Sequence, residues 1–212
     1  MSGPSHYKLS YFPARGRAEA IRWLFALAEV PYEDETIDPK DWPQRKPSTP
    51  FGSIPVLELD HSVVLAQTLA IARYLAKRFG LAGRDAIEAA KADMYVDGTN
   101  DLWSKFTPIA LAAMAGDMDK RKEAIKVFVE ETFKPFVTRY EGFLSNSKSG
   151  WLVGDRITWA DVYLAEWLDR IIKLNDPHAL DNHPIAKAFL DKFNNIPAIA
   201  KRHSDRNFQF PL

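Results

Sequence analysis

Every segment of this sequence that reads as a β-strand falls within its first eighty residues. Tyr7 to Phe12 alternates and carries aromatics, the pattern of a short strand. Residues 18–29 read as a helix, with Ile21, Leu24, Phe25 and Ala28 on one face. Residues 31–37 fit a second strand and 41–46 a short helical or irregular piece. Residues 54–59 form a third strand, Asp60-His61-Ser62 a turn and residues 63–65 a fourth strand. Residues 67–79 return to helix, with Ile71, Ala72, Leu75 and Phe79 inward. The order β-α-β-α-β-β-α suits a small sheet with helices packed on it, an α/β domain.

After Gly80-Leu81-Ala82-Gly83, which reads as a linker, the periodicity is helical throughout. The expected division is a domain over 1–79, a linker over 80–84 and an all-α domain over 85–212. Residues 85–115 and 117–144 are long helical stretches that Pro108 and Pro135 should kink or interrupt. A loop at 145–150 precedes further helices at 158–174, 184–193 and 197–203. The helix start at Ile157-Thr158-Trp159-Ala160-Asp161-Val162 is well marked. Thr158 is the expected N-cap, Asp161 stands three residues on, and Ile157 with Val162 forms a staple. Leu164, Leu168, Ile171 and Ile172 continue the buried stripe. This is a folding feature, not a catalytic one.

Composition excludes several classes of function. Lys plus Arg and Asp plus Glu are equal, at 28 each, which leaves no electrostatic footprint for nucleic acid or an anionic membrane. No apolar run approaches the ~20 residues that span a bilayer. The first six residues lack the regions of a signal peptide, so a cytoplasmic location is expected. There is no cysteine, which removes disulfides, cysteine-ligated metals and cysteine nucleophiles.

Three features bear on chemistry. Tyr11 ends the first strand above a loop, where its hydroxyl can enter a cleft; taken alone, a packed tyrosine with a satisfied hydroxyl is the commoner reading. The Ile54-Pro55 bond at a strand start can be cis and expose the backbone of Ile54, although most such bonds are trans. Gln67-Thr68 opens a helix whose free N–H groups suit a carboxylate, and an ordinary polar helix start explains it as well.

Taken together and in order, these pieces resemble one family. The stretches Tyr7 to Phe12, Arg15-Gly16-Arg17-Ala18-Glu19, Trp42-Pro43, Lys46-Pro47, Thr49 to Gly52, Ile54 to Leu57, Leu65-Ala66-Gln67, Leu69 to Leu75 and Leu81-Ala82-Gly83 resemble the thioredoxin-like half of glutathione transferases. Leu152-Val153-Gly154-Asp155 and the capping box resemble the helical half, and the class most similar is sigma, which includes prostaglandin D synthases. The resemblance implies glutathione as co-substrate or cofactor, with Tyr11 bonding its sulfur and Arg17 supporting Tyr11. It implies Trp42 and Lys46 at the glycyl end, Ile54 before a cis Pro55 at the cysteinyl unit, and Gln67 and Thr68 at the γ-glutamyl end. Ser53 stands where a longer polar residue is common, Thr68 where serine is usual, and Asp60-His61 where Asp-Gly is frequent.

The resemblance also implies a homodimer in which Asp101 reaches the partner's glutathione. The partner molecule is a small electrophile, and neither nucleic acid nor membrane is implicated. Phe12, Trp103 and Phe106 are candidate walls for the electrophile and the Phe208-Gln209-Phe210 tail a candidate lid, each with core packing as the alternative. Asp97, Asn100 and Asp101 share a helix face that can collect a divalent cation or simply be solvated, and no metal is required. Without cysteine the chain has no dithiol of its own, and the resemblance implies that glutathione would supply the sulfur and tyrosine would activate it. Conjugation, prostaglandin isomerisation, peroxidase activity and carriage of haem or other large apolar ligands all remain open at this stage.

Overall fold

The computed structural model describes residues 4–204, which divide into two compact units. The first holds the sheet. Strands β1 (Tyr7–Tyr11), β2 (Glu33–Thr36), β3 (Val56–Leu59) and β4 (Val63–Ala66) run in the spatial order β2-β1-β3-β4, with β1 and β2 parallel and the other pairs antiparallel. The period of two in β1 buries Tyr7 and Leu9 and leaves Lys8 and Ser10 on the wetter face.

Helices α1 (Glu19–Ala28) and α3 (Thr68–Arg78) cover the apolar face with Ile21, Leu24 and Phe25, and with Ile71, Ala72, Leu75 and Ala76, all fully buried. Phe25 meets Tyr7 of β1 edge-on, with ring centroids 5.4 Å apart, and Phe79 closes the same cluster. The short α2 (Trp42–Arg45) continues into a 3-10 turn, Lys46–Ser48.

The second unit, Gly83–Ile196, is helical. It comprises α4 (Ala86–Asn100), α5 (Leu102–Met114), α6 (Met118–Phe128), α7 (Lys134–Ser145), α8 (Trp159–Leu174) and α9 (Pro184–Asn194). Asp85 and Asp117 cap α4 and α6 through their carboxylates. Helix α8 is buried on nearly every side, and even its charged residues Glu166, Asp169 and Arg170 are inside. Glu166 and Arg170 pair one turn apart at 2.6 Å, and Asp169 pairs with Lys173. The helix start forms the expected reciprocal capping box. Ile172 is only half-buried, unlike Leu164, Leu168 and Ile171.

Two expectations change. The first long helical stretch parts at Asp101, while Pro108 lies inside α5. Proline loses one intrahelical bond and presses on the carbonyl four residues back, and here α5 accommodates that without ending. Near Pro135 the chain does adjust: a π turn, Val129–Phe133, precedes α7 and holds Glu131, the residue four positions before the proline. Finally, α10 (Pro197–Ser204), expected in the helical domain, clusters with the sheet unit. There His203 stacks edge-on against Trp23, and Arg202 reaches the buried Glu19 at 3.4 Å.

Candidate functional site

The sheet register decides which residues can share a site. Ser10 pairs with Val56, and Val56 with Ala66. Tyr11 after the first, Ile54-Pro55 before the second and Gln67-Thr68 after the third therefore leave the sheet at the same end.

Tyr11 is the last residue of β1 and is partly exposed. Its hydroxyl accepts a hydrogen bond from the backbone N–H of Arg17 at 3.0 Å. A phenol that accepts one bond still has its own proton to donate. The turn between them passes through Gly16 at φ +44, and a Cβ there would lie 2.3 Å from the tyrosine oxygen. Only glycine fits both the backbone and the space. Arg17 is the residue expected to support the tyrosine; its backbone N–H meets the hydroxyl, and the residue as a whole is exposed.

Beneath this turn lies Arg22, almost wholly buried, with its guanidinium 5.9 Å from the Tyr11 ring centre. It donates to the carbonyl of Ala14 at 2.9 Å, to Asp34 at 2.9 and 3.2 Å, and to Glu19 at 3.3 Å. Burial pulls Arg22 toward the neutral form, but Asp34 and Glu19 outweigh it and hold the group above its ordinary pKa.

The Ile54–Pro55 peptide is cis, as the resemblance required. Pro55 is buried, Ile54 half-buried, and Ser53 exposed. Lys46 lies along Gly52, with its Cε 3.4 Å from where a Cβ would stand, so Lys46 and the segment leading to Ile54 are neighbours. Trp42 packs edge-on against Phe12, and Phe12 in turn against Tyr11, at 5.7 and 5.8 Å. Glu35 on β2 binds Arg45 of α2 through both oxygens and also accepts from Ser10. Burial pushes Glu35 up, but the bonds from Ser10, Lys8 and Arg45 dominate and hold its carboxyl below the usual value.

Gln67 stands at φ +72, ψ 116, ahead of α3, and its exposed side chain makes no capping bond. The first turn of α3, from Thr68, thus keeps its N–H groups for another acceptor.

In the helical unit, Asp101 is exposed at the junction of α4 and α5. Asp97 and Asn100 precede it, yet among the described residues no group of three or more His, Asp or Glu is placed to hold a metal. Trp103 is half-buried. Phe106 is 2% exposed and packs against Trp103, Phe128 and Trp167, so its ring is taken up by the core rather than offered as a wall. The Phe208-Gln209-Phe210 tail, Phe210 included, lies outside the described residues.

Comparison with known proteins decides the family. The description "Glutathione S-transferase, N-terminal domain" matches residues 7–77, and "Glutathione S-transferase, C-terminal domain" matches residues 103–203. The chain belongs to the glutathione S-transferases. It is 40% identical to glutathione S-transferase 4 of Caenorhabditis elegans over 195 residues, 92% of this chain and 93% of that protein. It is 39% identical to the human hematopoietic prostaglandin D synthase over 201 residues, 92% and 94% of the two chains. Among solved structures, monomeric Na-GST-3, a glutathione S-transferase from the hookworm Necator americanus, superposes with a TM-score of 0.85 at 40% identity, covering 97% of this chain and all of that one.

This glutathione transferase acts on small molecules, and among its described residues no helix is long and apolar enough to cross a membrane. Reading the sequence alone picked out neither Gly16 nor Arg22 as a site residue. Gly16 sits inside a recognised motif, but only its distance to Tyr11 shows what it does. Arg22 falls on the inward stripe of an apolar helix, three residues from Glu19, and an ion pair on a buried face was the available signal.

Proposed function

We propose that this transferase binds glutathione at the sheet end just described and that Tyr11 holds the sulfur as a thiolate for attack on an apolar electrophile. The observation that carries this reading is Tyr11 itself: a partly exposed phenol, fixed through an accepted bond from Arg17, with its proton left to donate. A free thiol of this type has a pKa near about 8.5, and lowering it by about two units takes about 2.7 kcal/mol. One hydrogen bond to a charged acceptor contributes about 1.5–3 kcal/mol, so one well-placed phenol covers most of the need.

The remaining roles follow the shape of a tripeptide. Lys46 and Trp42 would hold its glycyl end, with Ser53 nearby. The backbone of Ile54, beyond the end of the ladder and before the cis bond to Pro55, would pair with the cysteinyl unit. Gln67 and the free N–H groups at Thr68 would hold the γ-glutamyl carboxylate. Phe12 and Trp103 are the remaining candidate walls for the electrophile.

In this reading the protein is a cytoplasmic, sigma-class homodimer that detoxifies electrophiles, and Asp101 contacts the glutathione of the second subunit. The relative described as monomeric keeps that question experimental. Full activity from a species that sediments as a monomer would remove the role given to Asp101. Prostaglandin isomerisation is a second reading, favoured by the similarity to hematopoietic prostaglandin D synthases, and would use the same thiolate.

The test of the main reading is Tyr11→Phe. The variant should bind glutathione nearly as the parent does and lose most of its turnover with a chromogenic aryl halide. Turnover close to the parent's would rule out Tyr11 as the activating group.

A further inference from the structure

We infer that Arg22 is a positioning residue for Tyr11. Its buried guanidinium fastens the turn at residues 14–17, and that turn sets where the tyrosine hydroxyl lies. The inference rests on the proposed role of Tyr11 and extends it to a residue that touches no substrate.

The geometry makes a closed chain of contacts. Nη1 of Arg22 donates to the carbonyl of Ala14 at 2.9 Å and lies 3.5 Å from that of Arg15. The next two residues are Gly16, whose Cα faces the tyrosine oxygen so closely that no side chain fits, and Arg17, whose N–H bonds that oxygen at 3.0 Å. The same guanidinium lies 5.9 Å from the Tyr11 ring centre. Arg22 therefore meets the tyrosine twice, once through the turn that binds its hydroxyl and once beside its ring.

The guanidinium is itself held by two carboxylates. Asp34 of β2 takes Nε, Glu19 one turn earlier takes Nη1, and Glu19 is in turn fixed by the indole N–H of Trp23 at 2.8 Å and by Arg202 of α10. A planar fork with five donors can serve these acceptors at once, which a lysine ammonium cannot. The charged and titratable groups around it are Glu19 and Arg15 from its own segment, Asp34 and Tyr32 from around β2, and Arg202 from α10. Two carboxylates face the one guanidinium at close range, so its charge is largely met, and its effect on Tyr11 is one of placement.

The experiment titrates the thiolate absorbance of bound glutathione against pH in four proteins: the parent, Arg22→Met, Tyr11→Phe and the double variant. Arg22→Met should raise the bound thiol pKa by about half a unit or more, about a threefold fall in the ratio of thiolate to thiol at a given pH, with glutathione affinity changed by less than about threefold. Tyr11→Phe should raise it further, and the double variant should match Tyr11→Phe, because Arg22 acts through the tyrosine. Arg22→Lys should not restore the parent value. An unchanged thiol pKa in folded Arg22→Met overturns the inference alone. So does an equal shift in both backgrounds, which would mean a direct effect of charge. No shift in Tyr11→Phe overturns the inference together with the proposed function. If Arg22→Met does not fold, Asp34→Asn, at a side chain 31% exposed, carries the same test with a smaller expected shift in the same direction.

Discussion

Asp161 should stabilise this fold in a way that acid strengthens. Its carboxylate is fully buried and accepts from the backbone N–H of Leu152 at 2.8 Å, the backbone N–H of Thr158 at 2.8 Å and the Thr158 hydroxyl at 3.0 Å. It thus closes the cap of α8 and ties the preceding loop to it. Asp161→Ala leaves two buried N–H groups without an acceptor, at about 1–3 kcal/mol each. Removing a buried charge returns part of that, so the expected net loss near neutrality is about 2–4 kcal/mol.

The pH dependence sharpens the prediction. Burial pushes Asp161 from its ordinary 3.8 up to about 6, against the bonds from Leu152 and Thr158. The folded state therefore binds the proton more tightly than the unfolded chain. The associated stability is fully present below the unfolded value and is lost as pH rises through about 6. Between about pH 7.5 and about pH 5 the parent should gain about 1.4 kcal/mol from this group, and Asp161→Ala should not. Urea unfolding of both proteins at the two pH values, followed by tryptophan fluorescence, measures the gap between them. The gap should widen on acidification. A gap that narrows would mean that the bonds outweigh burial, and a negligible gap at both values would refute the structural role of Asp161.

Gly16→Ala should cost most of the activity while leaving the helical unit intact, because the new methyl group meets the Tyr11 oxygen at a backbone angle suited to glycine. Turnover close to the parent's, measured with an aryl halide, would contradict that geometry. Phe106→Ala should destabilise by about 3–5 kcal/mol, as a core aromatic does, and a change in electrophile selectivity without loss of stability would return Phe106 to the substrate site. Gln67→Gly should weaken glutathione binding and leave stability unchanged or raise it by about 1 kcal/mol, since a non-glycine residue at φ +72 is strained; clear destabilisation in a melting experiment would show that the side chain holds the fold.

The elements were legible where pattern and partner coincide. Tyr7 and Leu9 alternate because one face of β1 is covered, and Thr158 with Asp161 reads as a cap because both partners are local in sequence. What sequence reading missed depends on distant partners. Nothing near Leu152 says that its N–H ends on Asp161, nine residues on. Local rules have Pro108 kink or interrupt its helix, yet it does not interrupt α5, and the chain parts at Asp101. Phe106 looked like a substrate wall because aromatics serve walls and cores alike, and only the rings of Phe128 and Trp167 settle which it is. Helix α10 has a polar composition that gives no hint of Glu19, the buried carboxylate that Arg202 reaches 183 residues back along the chain.

Two groups of positive-φ residues lie at opposite ends of the sheet, and their placing has a physical reason. Asp60 and His61, at φ 46 and 56, make the tight turn between β3 and β4, where two strands reverse and positive angles are the geometric requirement. Their strain has local compensation: Asp60 accepts from Ser5 and His6, and the His61 ring stacks on that of His6 at 4.2 Å. Gly16, Gly52 and Gln67 lie off the opposite end, where no hairpin needs them. There the positive angles turn the chain so that an N–H reaches the Tyr11 hydroxyl, Lys46 can lie along a bare backbone, and the first turn of α3 stays uncapped. Two of the three are glycines, which adopt such angles at little cost, but Gln67 is not. A strained residue that the hairpin does not require, with an exposed side chain that forms no cap, is hard to explain by stability alone. A ligand that uses both its side chain and the N–H groups behind it would account for the position, and this supports the proposed role of Gln67 at the γ-glutamyl end of glutathione on grounds independent of Tyr11.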